Sequence, residues 1–248
     1  MIAAEHERHS PRNRRLYSLT RADAVEWLER LPAASVDLLI TDPPYESLEK
    51  HRATGTTTRL KKSKASSNEW FRIFPNDRLA GFFRAAFQVM RKNSHLYMFC
   101  DPDTLWHAVP AAEAAGFRFW KPIVWDKLTL GMGYHYRRQY EFILFFEKGK
   151  RRLKDLGVSD VLRAKRVHGG YPTEKPVEVL RTLVRQSSSP QELVCDPFFG
   201  SGATGEAAIL EGRRFSGSDV NAKAVVAARE RLRAASVEGL VAARVLAG

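Results

Sequence analysis

The sequence predicts an α/β protein in which one doubly wound sheet is covered by helices on both faces. Short apolar runs alternate with amphipathic stretches along most of the chain, as expected for strands and helices that follow one another. Two of these runs end at an acidic residue and then break into Pro and Gly, at TDPPY (residues 41–45) and CDPFFGSGAT (residues 195–204). With 248 residues, of which 44% are hydrophobic, the chain can bury one substantial core. We therefore expect a single domain over residues 16–248, after a disordered polar tail at residues 1–15.

The N-terminal part alternates strand and helix up to the first motif. A short strand is predicted over residues 16–19, and Thr20 with Asp23 resembles a capping box at the start of the next helix. A buried strand over residues 36–40 then leads into TDPPY. Residues 46–75 are rich in Thr, Ser and Lys, with seven Lys or Arg against three acids, and this composition predicts a basic loop.

The middle of the chain is predicted to contain two helices and three strands. Asp77 should cap the first helix, and Pro110 should bend the second. In chain order, the elements after the first helix are a strand at residues 95–100, a helix at residues 103–115, and strands at residues 119–125 and 141–146. The last two strands are joined by GMGYHYRRQ, in which aromatic and basic residues alternate.

The C-terminal part begins with a second basic stretch, residues 148–170, which carries eight Lys or Arg against two acids. A helix is predicted to open at Thr173 and Pro176. The remaining predicted elements are a strand at residues 192–195, a helix at residues 203–211, a strand at residues 214–218, and a final helix capped by Asn221. This continued alternation extends the same doubly wound sheet to the end of the chain.

The charge of the chain favours a polyanionic partner. Lys and Arg number 40 against 28 Asp and Glu, which leaves a net charge of +12. Each phosphate that such residues neutralise releases a counterion, so we predict that the two basic loops contact nucleic acid. No apolar stretch approaches the ~20 residues of a membrane span, and no Cys/His spacing is typical of a zinc site. We therefore expect a cytoplasmic, nucleoid-associated protein that needs no metal.

The second motif predicts a site for a nucleotide-like cofactor. Gly200, Gly202 and Gly205 fit G-x-G-x-x-G between a predicted strand and helix, a pattern that dinucleotide-binding folds share. The turn allows a ligand to approach the backbone, and Asp219 at the end of the next strand can accept hydrogen bonds from ribose hydroxyls. The Asp196 carboxylate directly before the turn would repel a pyrophosphate but attract a cationic amino group. S-adenosylmethionine carries an ammonium and a sulfonium but no phosphate, so it fits this motif better than a nicotinamide dinucleotide does.

The first motif predicts a site for a flat base that bears an amino group. Pro43 and Pro44 lock the backbone after the strand and remove two N–H donors. The Pro43 carbonyl and the Asp42 carboxylate can then accept both protons of an amino group, while Tyr45 offers a ring face for stacking. Because both protons are accepted, the amino nitrogen is pulled towards tetrahedral geometry. Its lone pair leaves the ring and can attack an electrophilic methyl group.

Together the motifs resemble those of the amino-group DNA methyltransferases that carry Asp-Pro-Pro-Tyr. The order, with DPPY first and DPFFGSGATG near the C-terminus, is that of their permuted β class, and the resemblance covers about residues 16–232. Three further segments are similar to that family: VWDK at residues 124–127, residues 134–146 with Glu141, and YPTEKP at residues 171–176. The resemblance implies a Rossmann-like methyltransferase sheet with a permuted motif order, S-adenosylmethionine as cofactor, and a homodimer.

The resemblance also assigns roles to residues. It places Thr173 and Lys175 beside the methionine end of the cofactor, Phe198 near its adenine and Asp219 at its ribose. The predicted catalytic residues are Asp42, Pro43, Pro44 and Tyr45. The predicted cofactor-binding residues are Thr41, Asp42, Thr173, Lys175, Asp196, Pro197, Phe198, Gly200, Ser201, Gly202, Thr204, Asp219 and Asn221. The predicted DNA-binding residues are Lys61, Lys62, Lys64, Tyr134, Tyr136, Arg137, Arg138, Arg151, Arg152 and Lys154.

By this resemblance we expect transfer of a methyl group from S-adenosylmethionine to adenine N6 in double-stranded DNA, with the target base flipped out of the duplex. Methylation of cytosine N4 is the alternative within the family, although serine often replaces the first Asp in such enzymes and Asp42 favours adenine. Methylation of an RNA amino group is a further alternative, and a catalytically inactive DNA-binding protein is a rival from another class. The family usually has a sizeable target-recognition region before its TEKP-like segment. Here only residues 148–171 fill that gap, so the DNA site is expected to be recognised by the two basic loops or by a second subunit, or else specificity is relaxed. Restriction-modification is the context that the resemblance implies.

Overall fold

The computed structural model describes residues 15–46, 72–131, 135–169, 171 and 173–247, with side chains up to residue 238. The described chain forms an eight-stranded sheet. Its strands are β1 (Tyr17–Arg21), β2 (Val36–Thr41), β3 (Met90–Cys100), β4 (Arg118–Asp126), β5 (Tyr140–Lys148), β6 (Val161–Arg163), β7 (Leu193–Asp196) and β8 (Arg214–Asp219). Its helices are α1 (Ala24–Glu29), α2 (Leu79–Val89), α3 (Pro102–Ala114), α4 (Val177–Ser187), α5 (Ala203–Leu210) and α6 (Ala222–Ala247), with a 3₁₀ turn at Asn76–Arg78 before α2.

The strand order brings the two sequence motifs side by side. The sheet runs β1-β8-β7-β2-β3-β5-β4-β6, and its pairs are parallel except where β5 lies antiparallel to both β3 and β4. The strand that leads into TDPPY pairs directly with the strand that leads into DPFFGSG, with Leu38 opposite Val194 and Leu39 opposite Cys195. Since parallel strands end at the same edge of a sheet, both motifs emerge next to each other, at the edge where such folds bind ligands.

Helices cover the two faces of the sheet, as predicted. Side chains of β2 alternate between the faces, so Leu38 and Ile40 join one apolar cluster while Leu39 joins the other. One cluster contains the buried faces of α4, α5 and α6, and the other contains those of α1, α2 and α3. The doubly wound α/β prediction is therefore confirmed.

Several local predictions are corrected by the structure. Thr20 does not cap α1; Asp23 does so alone, accepting hydrogen bonds from the backbone N–H groups of Val25 (3.0 Å) and Glu26 (3.4 Å). Asp77 does not cap α2, because the 3₁₀ turn precedes that helix and its cap residue Arg78 makes no side-chain hydrogen bond as a cap.

Further differences concern element boundaries. Strand β3 begins at Met90, five residues before the predicted start. The short strand β6 had no periodic signal in the sequence and was not predicted. Residues 47–71 of the first basic loop and residues 1–14 of the predicted tail lie outside the described residues. Within the described part, no helix is long and apolar enough to cross a membrane.

Candidate active site

A cleft opens where β2, β7 and β8 end. Its wall includes all four residues of DPPY and most of the glycine turn, together with residues of the TEKP segment. The cleft residues that were predicted to bind cofactor or target are Asp42, Pro43, Pro44, Tyr45, Thr173, Lys175, Asp196, Pro197, Phe198, Gly200, Ser201, Thr204 and Asp219. The structure thus brings residues from three distant parts of the chain into one cavity.

The glycine turn has the backbone geometry that its sequence predicts. Gly200 and Gly202 have φ angles of 47° and 80°, in the left-handed region that favours glycine. A Cβ atom on Gly202 would lie 2.9 Å from the Cβ of Ala228, so this residue also allows α5 to approach α6. A Cβ atom on Gly200 would lie 3.3 Å from the ring of Tyr171. Gly200 therefore adds no side chain of its own to the cleft, and the Tyr171 ring packs close to the turn.

Asp219 lines the cleft at the end of β8, beside the glycine turn. Its two carboxylate oxygens accept hydrogen bonds from the backbone N–H groups of Gly200 (3.0 Å) and Asn221 (2.8 Å). Burial raises the pKa of the Asp219 carboxyl above its ordinary value, and these two bonds oppose that rise. Because each carboxylate oxygen has a second lone pair, Asp219 can also accept hydrogen bonds from ribose hydroxyls.

Asp196 joins the two motifs. Its Oδ1 accepts hydrogen bonds from the Thr41 hydroxyl (3.0 Å) and from the backbone N–H of Phe198 (2.9 Å), so TDPPY and DPFFGSG are linked directly. The residue is only 3% exposed, and this burial raises the pKa of its carboxyl to about 7. A cationic group in the cleft would compensate for the burial of this carboxylate.

Asp42 holds two donors. Its Oδ1 accepts a hydrogen bond from the Tyr45 hydroxyl, and its Oδ2 accepts one from the Lys175 ammonium. Burial raises the pKa of the Asp42 carboxyl, and the charge of Lys175 opposes that rise. The next turn is fixed by a backbone hydrogen bond of 2.9 Å from the Phe74 N–H to the Pro44 carbonyl. The bonds of the Asp42 side chain and of the Pro44 carbonyl therefore both hold DPPY in place.

Two charged residues at the same edge were not assigned a role from the sequence. Lys127 follows the end of β4 and Glu141 lies at the start of antiparallel β5. Both therefore lie at the side of the sheet where β2, β7 and β8 end, which we call the catalytic edge. The Lys127 ammonium donates to Glu141 Oε1 at 2.5 Å, and Glu141 Oε2 lies 3.4 Å from the Lys175 ammonium. The sequence indicated them only as charged residues at the ends of predicted strands, within VWDK (residues 124–127) and within residues 134–146.

Phe198 lies in the cleft wall, where an adenine ring was expected. Its ring packs edge-on against Phe74, with centroids 5.0 Å apart, and at a tilt against Phe82, with centroids 6.0 Å apart. These contacts fix one aromatic face of the cleft. The adenine contact itself stays a prediction.

The predicted DNA-binding residues fall into three groups. Tyr136, Arg137 and Arg138 are exposed in the connection between β4 and β5, at the catalytic edge. This connection is a hairpin, closed by backbone hydrogen bonds from Lys127 to Gln139 (2.8 Å) and from Gly131 to Arg138 (2.9 Å). Tyr134 and the loop residues Lys61, Lys62 and Lys64 lie outside the described residues.

The third group, Arg151, Arg152 and Lys154, lies at the opposite edge of the sheet. The backbone N–H of Arg151 donates to the Glu147 carboxylate (2.7 Å) near the far end of β5, about 20 Å from Glu141 at ~3.4 Å per residue. The Arg151 guanidinium is paired with Glu192 at 2.6 Å. Their contact with DNA stays a prediction, but their placement separates them from Asp42. The second basic stretch returns to the catalytic edge only at its end, where these residues are exposed: Arg163, Lys165, Arg166 and His168.

Comparison with known proteins points to one family. The model of the family described as DNA methylase (N6_N4_Mtase) matches residues 36–230. The putative methylase YubD of Escherichia coli K12 is 28% identical over 217 residues, which cover 86% of this chain and 89% of that protein. The type II methyltransferase M2.LlaDCHI of Lactococcus lactis subsp. cremoris is 25% identical over 250 residues, with 90% and 91% covered.

Solved structures share the fold. The putative DNA modification methylase TTHA0409 of Thermus thermophilus, complexed with S-adenosyl-L-methionine, has a TM-score of 0.66 at 24% identity, covering 89% of this chain and 94% of that one. The cytosine-N4-specific PvuII DNA methyltransferase has a TM-score of 0.65 at 15% identity, with 87% and 88% covered.

Proposed function

The chain belongs to the DNA methylase (N6_N4_Mtase) family, and we propose that within this family it methylates the N6 amino group of adenine in double-stranded DNA. It is a methyltransferase that uses S-adenosylmethionine, as its motifs predicted. The observation that carries amino-group methylation is the Thr41–Asp196 hydrogen bond of 3.0 Å, because it joins the cofactor motif to DPPY within one cleft. The choice of adenine rests on Asp42.

The described residues fit the cofactor. Asp196 offers a carboxylate to its ammonium, Asp219 offers lone pairs to its ribose, and Gly200 adds no side chain of its own to the cleft. When bound, S-adenosylmethionine supplies an electrophilic methyl group, whose bonding electrons stay with the sulfur as the methyl leaves. We assign the neighbouring residues Thr173 and Lys175 to the methionine end, as the resemblance implies.

The chain's own contribution to transfer comes from DPPY. Asp42 and the Pro43 carbonyl accept the two protons of the target amino group, which localises the lone pair on its nitrogen. A nitrogen–carbon bond then forms, and the nitrogen, now positively charged, loses one of its protons to solvent. Tyr45 stacks on the base. Charge develops next to Asp42 in the transition state, where a preorganised carboxylate stabilises it most effectively.

Adenine is favoured over cytosine by Asp42, since serine often stands at this position in cytosine-N4 enzymes of the family. The test is a product analysis. Purified protein is incubated with unmethylated plasmid DNA and S-adenosylmethionine, and the DNA is digested to nucleosides for mass spectrometry. We expect N6-methyldeoxyadenosine. N4-methyldeoxycytidine alone would overturn the adenine assignment, and unmodified DNA would overturn the proposed activity.

We assign DNA contact to the catalytic edge of the sheet. Tyr136 is fully exposed at the β4–β5 hairpin, and Leu128 and Leu130 on the same hairpin are 48% and 52% exposed. Exposed aromatic and apolar side chains beside Arg137 and Arg138 suit a surface that contacts bases and phosphates together. The homodimer and association with the nucleoid stay predictions.

A further inference from the structure

A row of four charges lies at the cleft, and three of its members, Glu141, Lys175 and Asp42, line the cleft wall. Lys127, Glu141, Lys175 and Asp42 alternate in sign, and each contacts the next. Lys127 and Lys175 are 4% and 8% exposed. The Lys175 ammonium also lies 5.3 Å from the centre of the Phe99 ring. Because buried charges are stable only when they are paired, none of these four groups can lose its partner without another taking its place.

The Lys175 ammonium near the end of this row weakens Asp42 as an acceptor for the target amino group. Both Asp42 oxygens already hold a donor, Tyr45 on Oδ1 and Lys175 on Oδ2. The target amino group needs one of these oxygens as an acceptor. Each oxygen keeps a second lone pair for it, but an ammonium held on Oδ2 opposes the positive charge that develops on the amino nitrogen during transfer. Asp42 therefore acts best as an acceptor once Lys175 has moved away.

Glu141 offers Lys175 a second acceptor. Its Oε2 is buried, makes no hydrogen bond within the described chain, and lies 3.4 Å from the Lys175 ammonium. Its Oε1 is held by Lys127 at 2.5 Å, so the carboxylate cannot turn away. A buried acceptor without a hydrogen bond costs free energy, which a small movement of the ammonium would recover.

We propose that Glu141 is a positioning residue that receives the Lys175 ammonium when the target amino group displaces it from Asp42. The ammonium then keeps a buried partner throughout, and the negative charge of Asp42 is no longer neutralised by Lys175. Lys127 holds Glu141 in place for this exchange. The proposal rests on the proposed amino-group methylation and assigns a task to three residues outside DPPY.

The test combines two substitutions. Glu141→Gln keeps the shape and can keep the bond from Lys127 to the amide oxygen, which leaves an NH₂ group facing Lys175. The exchange then fails, and we expect single-turnover methylation of plasmid DNA to fall about 10²-fold, the loss typical of one preorganised partner. Affinity for S-adenosylmethionine, measured by calorimetry, should stay close to that of the wild type. The unfolding midpoint should fall, because two buried ammoniums lose a charged partner, so rates are compared at a temperature at which circular dichroism shows both proteins folded. Glu147→Gln is the matched control, since Glu147 is a buried glutamate at the far end of the same strand.

Lys175→Gln removes the group that Glu141 is proposed to receive. In that background Glu141→Gln should cost no more than about threefold in rate, because pairs that act through one contact are not additive. Because Lys175 is also assigned to the methionine end of the cofactor, all rates are measured at saturating S-adenosylmethionine. Independent, multiplying effects of the two substitutions would overturn the proposal. If the wild type methylates DNA and Glu141→Gln matches it, only this inference fails. If the wild type transfers no methyl group to DNA, the proposed function fails instead.

Discussion

Binding of S-adenosylmethionine is expected to release a proton from Asp196. Burial raises the pKa of this carboxyl to about 7 in the free protein, so a large fraction of it is protonated near neutral pH. A neutral carboxyl cannot pair with the cofactor ammonium, whereas the carboxylate can. Binding therefore favours the ionised form, lowers the pKa of Asp196, and drives its proton into the buffer.

The size of the effect follows from that pKa. With a pKa of about 7, about nine tenths of Asp196 is protonated at pH 6 and about one tenth at pH 8. Binding at pH 6 should thus release about 0.9 proton per protein, and affinity should rise about tenfold from pH 6 to pH 8 on account of this group alone. Affinity rises with pH because the favourable form of Asp196 is the deprotonated one.

The assay is titration calorimetry at pH 6 and pH 8, each in two buffers that differ in ionisation enthalpy. The difference in heat between the buffers counts the protons released. Asp196→Asn is the control, since it preserves the shape but cannot titrate, and it reports the titration of the cofactor's own amino group. Equal proton release by the wild type and Asp196→Asn would refute the assignment of the ammonium to Asp196.

Three further predictions concern the rest of the site. Tyr45→Ala should lose base stacking of ~1–3 kcal/mol, seen as weaker DNA binding, whereas Tyr45→Phe should be mild; equal losses would argue against stacking. Neutralising Arg163, Lys165 and Arg166 should flatten the salt dependence of DNA binding by roughly one log-log unit per lost phosphate contact. Neutralising Lys61, Lys62 and Lys64 should have the same effect. Neutralising Arg151, Arg152 and Lys154 should change the salt dependence less. A larger change in the variant of Arg151, Arg152 and Lys154 than in the other two would instead place the DNA interface at the opposite edge of the sheet. Gly202→Ala should lower the free energy of unfolding by ~1–3 kcal/mol more than Gly212→Ala does. Both glycines have positive φ, but only Gly202 is crowded by Ala228. Equal losses of the two variants in chemical denaturation would contradict this.

The sequence predicted the fold and the catalytic edge because both depend on local signals. Apolar runs that end at Thr41 and Asp196 mark buried parallel strands, and Pro and Gly after them mark turns at one edge. The pairing of β2 with β7 then brings the motifs together. The positive φ angles of Gly200 and Gly202 were likewise implied by their residue type.

What the sequence could not predict depends on long-range geometry. Arg151 and Arg163 belong to one basic stretch, but residues 152–162 between them run from one end of the strands to the other, and only the last part of this path is the short strand β6. A count of charges along the chain cannot detect this crossing. Glu141 reaches the cleft because β5 runs antiparallel, so its first residues lie where its neighbours end.

The most direct test of the account is the methylation rate of Asp42→Ala. The rate of single-turnover transfer to DNA is measured with radiolabelled S-adenosylmethionine, next to the dissociation constants for DNA and for the cofactor. We predict that the rate falls by on the order of 10²–10³ or more, because a preorganised acceptor of the target amino group is lost, while DNA binding changes far less. An Asp42→Ala enzyme that methylates DNA at close to the wild-type rate would contradict the central claim that this carboxylate activates the amino group.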